Sequence, residues 1–307
     1  FLNYLISKPS PSDWEHFSRL YIKSEGSNWV LDSIKEEMKM VSNSIGIQLV
    51  EENFAPKLKN QCVFYTSKYE ALKNLDFKKN KIAFPMYHGN PDLNAEAKFH
   101  YEKIKKNHKN IDRIQVSNSL MREIILETGI DKDKVFQIPI SIDIDKFAFS
   151  TSEQDKINKK KTIGINPNSF LIGSFQKDGH GWGSGNKPKL IKGPDIFLEV
   201  INCLKNKYPH VEVLLTGPAR GFVKNGLKKL NVRYYHFDLK NFSDISTYYQ
   251  CLNAYLVTSR EEGGPRAILE SMASGVPIVT TKVGQAADLV KNESNGWITE
   301  VGDIDSL

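Results

Sequence analysis

Residues 259–284 read SREEGGPRAILESMASGVPIVTTKVG, a glycine turn that leads into a helix. The preceding letters, NAYLVTS, are typical of a buried strand, and Pro265 suits the first turn of a helix because it lacks an N–H that would be unpaired there. The stretch carries two carboxylates eight positions apart, Glu262 at the mouth of the turn and Glu270 inside the helix. A helix N-terminus offers unpaired N–H groups to an anion, so a phosphate seat is predicted here. An ordinary βα unit with a surface glutamate is the alternative.

The composition is that of a soluble globular protein with room for two domains. The chain has 307 residues, of which 40% are hydrophobic and 25% charged. No run approaches the ~18 apolar residues of a membrane span. Cys62, Cys203 and Cys251 are widely spaced, which favours a reducing compartment and argues against a zinc site or a disulfide framework. A cytoplasmic location is therefore expected.

The net charge of +6 is modest, but lysines cluster at 103–109 and 156–161. A basic face could attract anionic lipid headgroups or a nucleotide diphosphate, which leaves open a peripheral contact with the inner face of the membrane. Solvated surface is the alternative for each run. Nucleic-acid binding is not expected, because no basic helix-turn-helix, aromatic platform or zinc finger accompanies the charge.

Strands and helices alternate along the chain, which predicts doubly wound parallel sheets. Two such α/β domains are expected, at 1–148 and 169–307, with a polar, lysine-rich linker at 149–168. Strands are predicted at RLYIKS, GIQLV, QCVFYTS, KIAFPMY, IDRIQVS, KVFQI, FLIGSF, VEVLLTG, VRYYHF, NAYLVTS and PIVTT. Helices are predicted at 29–41, 93–107, 119–127 (capped by Asn118 or Ser119), 194–205, 222–230, 243–251, from 265 and from 285. Ligands are expected at the carboxyl ends of the strands, in a cleft between the domains.

Candidate ligand-binding residues of the second domain follow its strands. A long insertion after FLIGSF carries Lys177, Lys187, Lys189 and Lys192. Lys192 lies just ahead of a helix that opens with Gly-Pro, where a lysine and the helix N-terminus together suit a diphosphate. Two further candidates for nucleoside contacts are Gly217 after VEVLLT and His236 in VRYYHF. A packed, hydrogen-bonded histidine is an equal alternative for His236.

In the first domain, His88 and Gly89 follow the apolar strand KIAFPMY. A histidine at a strand end can donate a hydrogen bond to a substrate or move a proton near neutral pH. The turn 25–28 after the first strand is the other natural site for a second substrate.

Together these motifs resemble the GT-B glycosyltransferases of the large retaining family four. The family signature E-G-F-G-x-x-x-x-E-A-M-A-x-G-x-P-V-V corresponds to EGGPRAILESMASGVPIV here. KGPDIFLEV, VLLTGP and QIPISIDIDKF match further family segments. The chain departs from the family pattern at Gly264, which replaces a phenylalanine, and at Ile140 and Ser141, which stand where Asn and Gly are usual. The resemblance implies two Rossmann-like domains facing across a cleft.

The resemblance also implies roles for individual residues. Glu270 would hold the ribose hydroxyls of a nucleotide-sugar donor, and Glu262 would bond the hydroxyls of the donor sugar. Lys192 matches the diphosphate-binding lysine, and His88 matches a histidine that lies against the donor sugar. The backbone after Glu262 would meet the sugar and diphosphate, which adds Gly263, Gly264 and Pro265. The lysine that joins Lys192 is expected to be Lys177, although simple spacing points to Lys187.

The implied reaction is transfer of a sugar from a nucleoside-diphosphate sugar to a glycan or lipid-linked acceptor, with retention of anomeric configuration. Lysines and helix amides would stabilise the leaving diphosphate, so neither a metal nor a cofactor is expected. The D-x-D triplets at 143–145 and 303–305 are not expected to bind metal. A GT-B epimerase or phosphorylase and a non-catalytic nucleotide-sugar-binding module are the alternatives. The chain stops at VGDIDSL, so the final helix that crosses between GT-B domains is expected to be missing.

Overall fold

The computed structural model describes residues 19–23, 30–51, 60–73, 80–149, 152–239 and 244–307. The chain divides into two compact units, unit 1 (Phe1–Pro139) and unit 2 (Ile140–Leu307). The division falls earlier than the boundary at 148 that the sequence predicts. The predicted substrate turn at 25–28 lies outside the described residues.

Unit 1 is built on a six-stranded parallel sheet in the order β2-β1-β3-β4-β5-β6, counted over the described residues. Its strands are β1 (Arg19–Lys23), β2 (Gln48–Glu51), β3 (Cys62–Tyr65), β4 (Lys81–Met86), β5 (Arg113–Val116) and β6 (Val135–Gln137). Its helices are α1 (Val30–Ser44), α2 (Lys68–Lys73), α3 (Ala95–Asn107) and α4 (Ser119–Leu126). The central strands β3 and β5 are buried along their whole length because both of their faces are covered. The Asn118 cap is confirmed, since its side chain accepts a hydrogen bond of 2.8 Å from the N–H of Met121.

Unit 2 is built on a second sheet of the same kind, in the order β12-β11-β10-β7-β8-β9. Its strands are β7 (Phe170–Ser174), β8 (Val211–Thr216), β9 (Tyr234–Phe237), β10 (Ala254–Val257), β11 (Ile278–Thr281) and β12 (Trp297–Thr299). Its helices are α5 (Glu153–Thr162), α6 (Pro194–Lys207), α7 (Gly221–Lys229), α8 (Ile245–Tyr249), α9 (Arg266–Ala273) and α10 (Ala286–Leu289). The prediction of two doubly wound α/β domains is confirmed.

The segment predicted as a linker contains a helix that packs on unit 2. Helix α5 is capped by Ser152, whose hydroxyl accepts a hydrogen bond of 3.1 Å from the N–H of Asp155. Lys160 is buried, and its ammonium donates to the Ser169 carbonyl at 2.8 Å and to Asn253 Oδ1 at 3.0 Å. A lysine-rich composition conceals this packing because a lysine can bury its stem and pair its charge locally.

Smaller differences concern the ends of elements. Strand β12 was not predicted. Pro265 precedes helix α9, which begins at Arg266, because the ψ of Pro265 is extended at 104°.

The strand order of unit 2 places its candidate site. The chain runs outward from β7 to β9, returns to β10 beside β7, and runs outward again to β12. Loops that leave neighbouring strands in opposite directions open a crevice at their carboxyl ends. In unit 2 that crevice lies between the loop after β7 and the loop after β10. Over the part of the chain that the structure describes, no helix has the length and hydropathy needed to cross a membrane.

Candidate functional site

The loops after β7 and β10 meet at Gly193, which adopts a left-handed conformation with φ of 63°. A Cβ at this position would overlap the carbonyl oxygen of Thr258, so only glycine fits. The Thr258 hydroxyl donates a hydrogen bond of 2.8 Å to the Gly193 carbonyl. The start of α6 is therefore fixed against the end of β10.

Lys192 and Glu262 form an ion pair at this junction. The Lys192 ammonium lies 2.6 Å from each carboxylate oxygen of Glu262. Ser259 also donates to Glu262 Oε1, at 2.8 Å. The Glu262 side chain is 11% exposed and the Lys192 side chain 24%, so the pair is only partly screened by water. The structure thus brings together two of the residues that the sequence predicted.

A second ion pair fixes the two loops to each other. Arg260 donates in a bidentate manner to Asp195, at 2.8 and 2.7 Å, and reaches the Leu190 carbonyl at 2.7 Å. The hydrogen bond from Arg260 holds the pKa of the Asp195 carboxyl below its usual range. Gln176, in the loop after β7, donates to the Lys192 carbonyl at 2.9 Å. These supports were not predicted from the sequence, because the residues that form them are far apart along the chain.

Two further lysines surround Lys192. The pKa of Lys189 is lowered, first by partial burial and then by the positive charges of Lys192 and Lys177, while Glu262 opposes the shift. Lys177 lies over the Trp182 ring, with its ammonium 3.7 Å from the ring centroid. Lys177 and Lys192 are therefore both close enough to Lys189 for their positive charges to act on it. Lys189 belongs to the lysine-rich insertion noted in the sequence, and the structure brings it close to Lys192.

The insertion after β7 forms a hairpin closed by a bridge between Gly179 and Pro188. Arg220 is fully buried at its base and pairs with Asp178 at 3.1 and 3.0 Å. Arg220 also donates to the carbonyls of Ser174 and Thr216, at 2.6 and 3.0 Å. Burial raises the pKa of the Asp178 carboxyl, and Arg220 opposes that shift. This buried pair holds the base of the hairpin that carries Lys187, directly after Lys177.

Glu270 lies on α9 with 3% of its surface exposed. Its Oε2 accepts a hydrogen bond of 2.9 Å from the Tyr249 hydroxyl, and its Oε1 lies 3.7 Å from Nε of Arg266 without a hydrogen bond. Burial raises the pKa of Glu270. A buried carboxylate oxygen that lacks a donor is costly for the fold, which suits an oxygen kept for a ligand hydroxyl.

His236 is held by protein atoms at both ring nitrogens. The Lys224 ammonium lies 3.5 Å from Nδ1, and Nε2 lies 2.8 Å from the Gly217 carbonyl. An ammonium has only donors and a carbonyl only acceptor sites, so Nδ1 accepts and Nε2 donates. This arrangement favours the packed interpretation of His236 over a nucleoside contact. Gly217 ends β8 with φ of 81°.

In unit 1, His88 follows β4 and its side chain is exposed. Lys68 is buried at the start of α2, and its ammonium donates to the His88 carbonyl at 2.7 Å and lies 3.4 Å from Nδ1. Gly89 has φ of 136°, and a Cβ there would lie 3.2 Å from the Lys68 ammonium. His88 therefore lies at a strand end, as predicted. The buried lysine beside it, Lys68, was not predicted.

The first aspartate of each D-x-D triplet accepts a hydrogen bond from a nearby backbone N–H. Asp143 accepts a hydrogen bond of 3.2 Å from the N–H of Asp145 and pairs with Lys146 at 3.2 Å. Asp303 accepts from the N–H of Ser306 at 3.2 Å. No group of three or more His, Cys, Asp or Glu side chains suited to a metal occurs in the described part of the chain.

A comparison with known protein families finds a match for the region that contains this site. Residues 188–307 match the family model of the glycosyl transferases group 1. The matched segment includes Lys192, Glu262 and Glu270.

One relative is the UDP-Gal:alpha-D-GlcNAc-diphosphoundecaprenol alpha-1,3-galactosyltransferase of Escherichia coli. It is 29% identical over 188 residues, which cover 60% of this chain and 46% of the relative. The chain thus spans about half the length of this curated relative.

Two solved structures share the fold. HepE of Anabaena, crystallised with UDP and glucose, superposes with a TM-score of 0.69 at 15% identity, over 95% of this chain and 88% of that one. The lipopolysaccharide outer core galactosyltransferase WaaB superposes with a TM-score of 0.64 at 15% identity, over 94% and 87%. At this identity the likeness establishes the two-domain Rossmann-like architecture of the GT-B type.

Proposed function

We propose that the protein is a GT-B glycosyltransferase of retaining family four that moves a sugar from a nucleoside-diphosphate sugar to a glycan or lipid-linked acceptor. The observation that carries the proposal is the Lys192–Glu262 pair at the switch point of unit 2, with Lys177 and Lys189 beside it. A group of lysines at a helix start suits a diphosphate, and a carboxylate suits sugar hydroxyls. The relative from Escherichia coli carries UDP-galactose in its name, which supports this class of donor.

The donor would bind by exchanging partners within the site. Its diphosphate would pair with the Lys192 ammonium in place of Glu262. The oxygens of Glu262 could then accept hydrogen bonds from the sugar. Glu270 would accept a hydrogen bond from the ribose through Oε1, because Oε2 is already bonded to Tyr249. The backbone of Gly263, Gly264 and Pro265 would line the sugar and diphosphate.

The reaction would break the anomeric bond to the diphosphate with oxocarbenium character. The leaving diphosphate gains negative charge, and lysines already fixed around it stabilise that charge without reorganising. The acceptor hydroxyl would attack the face that the diphosphate leaves, and the leaving phosphate would take its proton, which retains configuration. His88 would donate a hydrogen bond to the donor sugar. The lysines supply the positive charge that this step requires, so a metal is not part of the proposal.

A thermal-shift screen against UDP-, GDP-, ADP- and dTDP-sugars tests the proposal. A ligand present at one hundred times its Kd adds about 2.7 kcal/mol to the free energy of unfolding. At least one nucleotide sugar should raise the Tm of the wild type and of Lys187→Ala, a matched lysine on the exposed part of the hairpin. Lys192→Ala should lose that shift. If no nucleotide sugar raises the Tm, the proposed donor site is wrong.

Incubation with the donor alone separates transfer from the related alternatives. An epimerase would convert the sugar without an acceptor, and a phosphorylase would require phosphate. A binding module would show the thermal shift and no turnover with any acceptor. The proposed enzyme needs an added glycan or lipid-linked acceptor to release the nucleoside diphosphate at its full rate.

A further inference from the structure

Two positions that depart from the family pattern meet at one buried side chain. Gln285, at the start of α10, is 2% exposed. Its Oε1 accepts a hydrogen bond of 2.7 Å from the N–H of Ile140, and its Nε2 donates to the Ile140 carbonyl at 3.2 Å. One amide thus satisfies both backbone groups of the first residue of unit 2.

The same amide occupies the space beside Gly264. A Cβ at this position would overlap Gln285 Oε1, lie 2.7 Å from Gln285 Cδ and lie 3.0 Å from Cδ1 of Ile140. A long side chain can usually move away from such a contact. Here the movement would break both hydrogen bonds to Ile140 and leave buried backbone groups unpaired, which is costly. Gln285 therefore explains why residue 264 is glycine.

The backbone next to Gln285 supports the other side of the same loop. Gly284 has φ of 49°, and a Cβ there would lie 2.6 Å from the carbonyl oxygens of Glu262 and Gly263. The turn at 284–285 consequently contacts the segment 262–264 through backbone on one side and through the Gln285 amide on the other. Glu262, the partner of Lys192, belongs to that segment.

We propose that Gln285 is a positioning residue for the donor loop. Its amide joins Ile140 to the turn and fills the volume beside residue 264, where the family pattern has a phenylalanine. The loop that carries Glu262 is thereby fixed in a chain that lacks a side chain at 264. The effect on donor binding rests on the proposed function, whereas the packing of Gln285, Gly264 and Ile140 does not.

A double-mutant cycle with Gly264→Ala and Gln285→Ala tests the inference. In the wild-type background, Gly264→Ala should weaken the affinity for UDP by about tenfold and lower the Tm, because the new methyl group displaces the amide. In the Gln285→Ala background the methyl group has room, so the same substitution should change the affinity by less than about twofold. Gly183→Ala is the matched control, because a Cβ at Gly183 meets no atom within 4 Å.

The outcomes separate the two proposals. Equal losses from Gly264→Ala in both backgrounds would overturn the role of Gln285. If UDP does not bind the wild type, the proposed function fails, and the Tm values of the cycle still decide whether Gln285 and Gly264 are coupled. If Gln285→Ala does not fold, Gln285→Asn, whose shorter side chain withdraws the amide from residue 264, replaces it as the second background. Coupling absent from that cycle also overturns the inference.

Discussion

Each unit has a lysine close to the carboxyl ends of its strands, and the two lysines have different partners. At the edge of unit 2, Lys192 lies 2.6 Å from both oxygens of Glu262. At the edge of unit 1, Lys68 donates to the carbonyl of His88 at 2.7 Å and lies 3.4 Å from its ring. A lysine paired with a carboxylate can take a phosphate as its partner instead at little cost, because one anion replaces another. A lysine held by a carbonyl and an imidazole instead fixes the geometry of a neutral group.

The two histidines sharpen this difference. Each has a lysine near Nδ1, Lys224 for His236 and Lys68 for His88. Nε2 of His236 donates to the Gly217 carbonyl at 2.8 Å, which commits that ring to the fold of unit 2. His88 is exposed at its strand end. Of the two, His88 is therefore the better candidate for contact with a substrate.

Replacing Lys192 should have the largest effect on activity. Lys192→Met removes the cation that we propose stabilises the leaving diphosphate, and loss of one such group costs about 10²–10³ in kcat. Turnover of the nucleotide sugar identified in the screen would measure it. Lys187→Met should keep near-normal turnover. If both variants lose activity equally, general charge and not the pairing with Glu262 explains the result.

Breaking the buried pair under the hairpin should have the largest effect on stability. Arg220→Met leaves Asp178 buried without its partner, and such a change costs about 3–5 kcal/mol. Denaturant unfolding followed by circular dichroism would measure the loss. Lys228→Met on the exposed side of α7, the helix that follows Arg220, should leave the free energy of unfolding within about 0.5 kcal/mol. A small loss for Arg220→Met would show that the hairpin does not depend on this pair.

Much of this arrangement was predictable from the sequence. The strands were predicted because apolar runs between turns are a strong signal, and Lys192, Glu262 and Glu270 were selected because they lie in strand–turn–helix segments and fall on a family pattern. The partners of these residues were not predictable. Arg260 and Asp195 are 65 positions apart, and Ile140 and Gln285 are 145 apart, so only the folded chain brings them together. The helix α5 was not predicted because its composition is polar. Its buried residue, Lys160, cannot be told from an exposed lysine in the sequence.

The pH dependence of nucleotide binding should report on Glu270. Burial raises the pKa of this carboxyl, so it stays protonated to higher pH than an ordinary glutamate. The proposed bond to ribose needs the carboxylate, so affinity for UDP should rise as pH increases through the raised pKa. Glu270→Gln should lose about tenfold in affinity and flatten the dependence. Titration calorimetry between pH 4 and roughly 8 would measure both.

Stability should respond to pH with the opposite sign. A carboxyl whose pKa is higher in the folded state binds more protons there, so its contribution to the free energy of unfolding declines as pH rises above its unfolded pKa. Glu270→Gln should remove this decline. A variant with unchanged pH dependence in both binding and stability would show that Glu270 does not titrate in this range.

The smallest predicted effect concerns the tautomer of His88. The ammonium of Lys68 can only donate, so Nδ1 of His88 accepts and Nε2 carries the proton. Nitrogen NMR of the wild type at pH 8 should show an unprotonated Nδ1 and a protonated Nε2. In Lys68→Met that preference should disappear, with a change in turnover smaller than that of Lys192→Met.

Lys73→Met is the matched control, because Lys73 lies on the same helix with 72% of its side chain exposed. It should leave the His88 signals unchanged. A protonated Nδ1 in the wild type would contradict the assigned tautomer, and an unchanged tautomer in Lys68→Met would show that Lys68 does not set it. In the second case the buried lysine of unit 1 would serve only the fold, as Arg220 does in unit 2, and the contrast between the two sheet edges would rest on Lys192 alone.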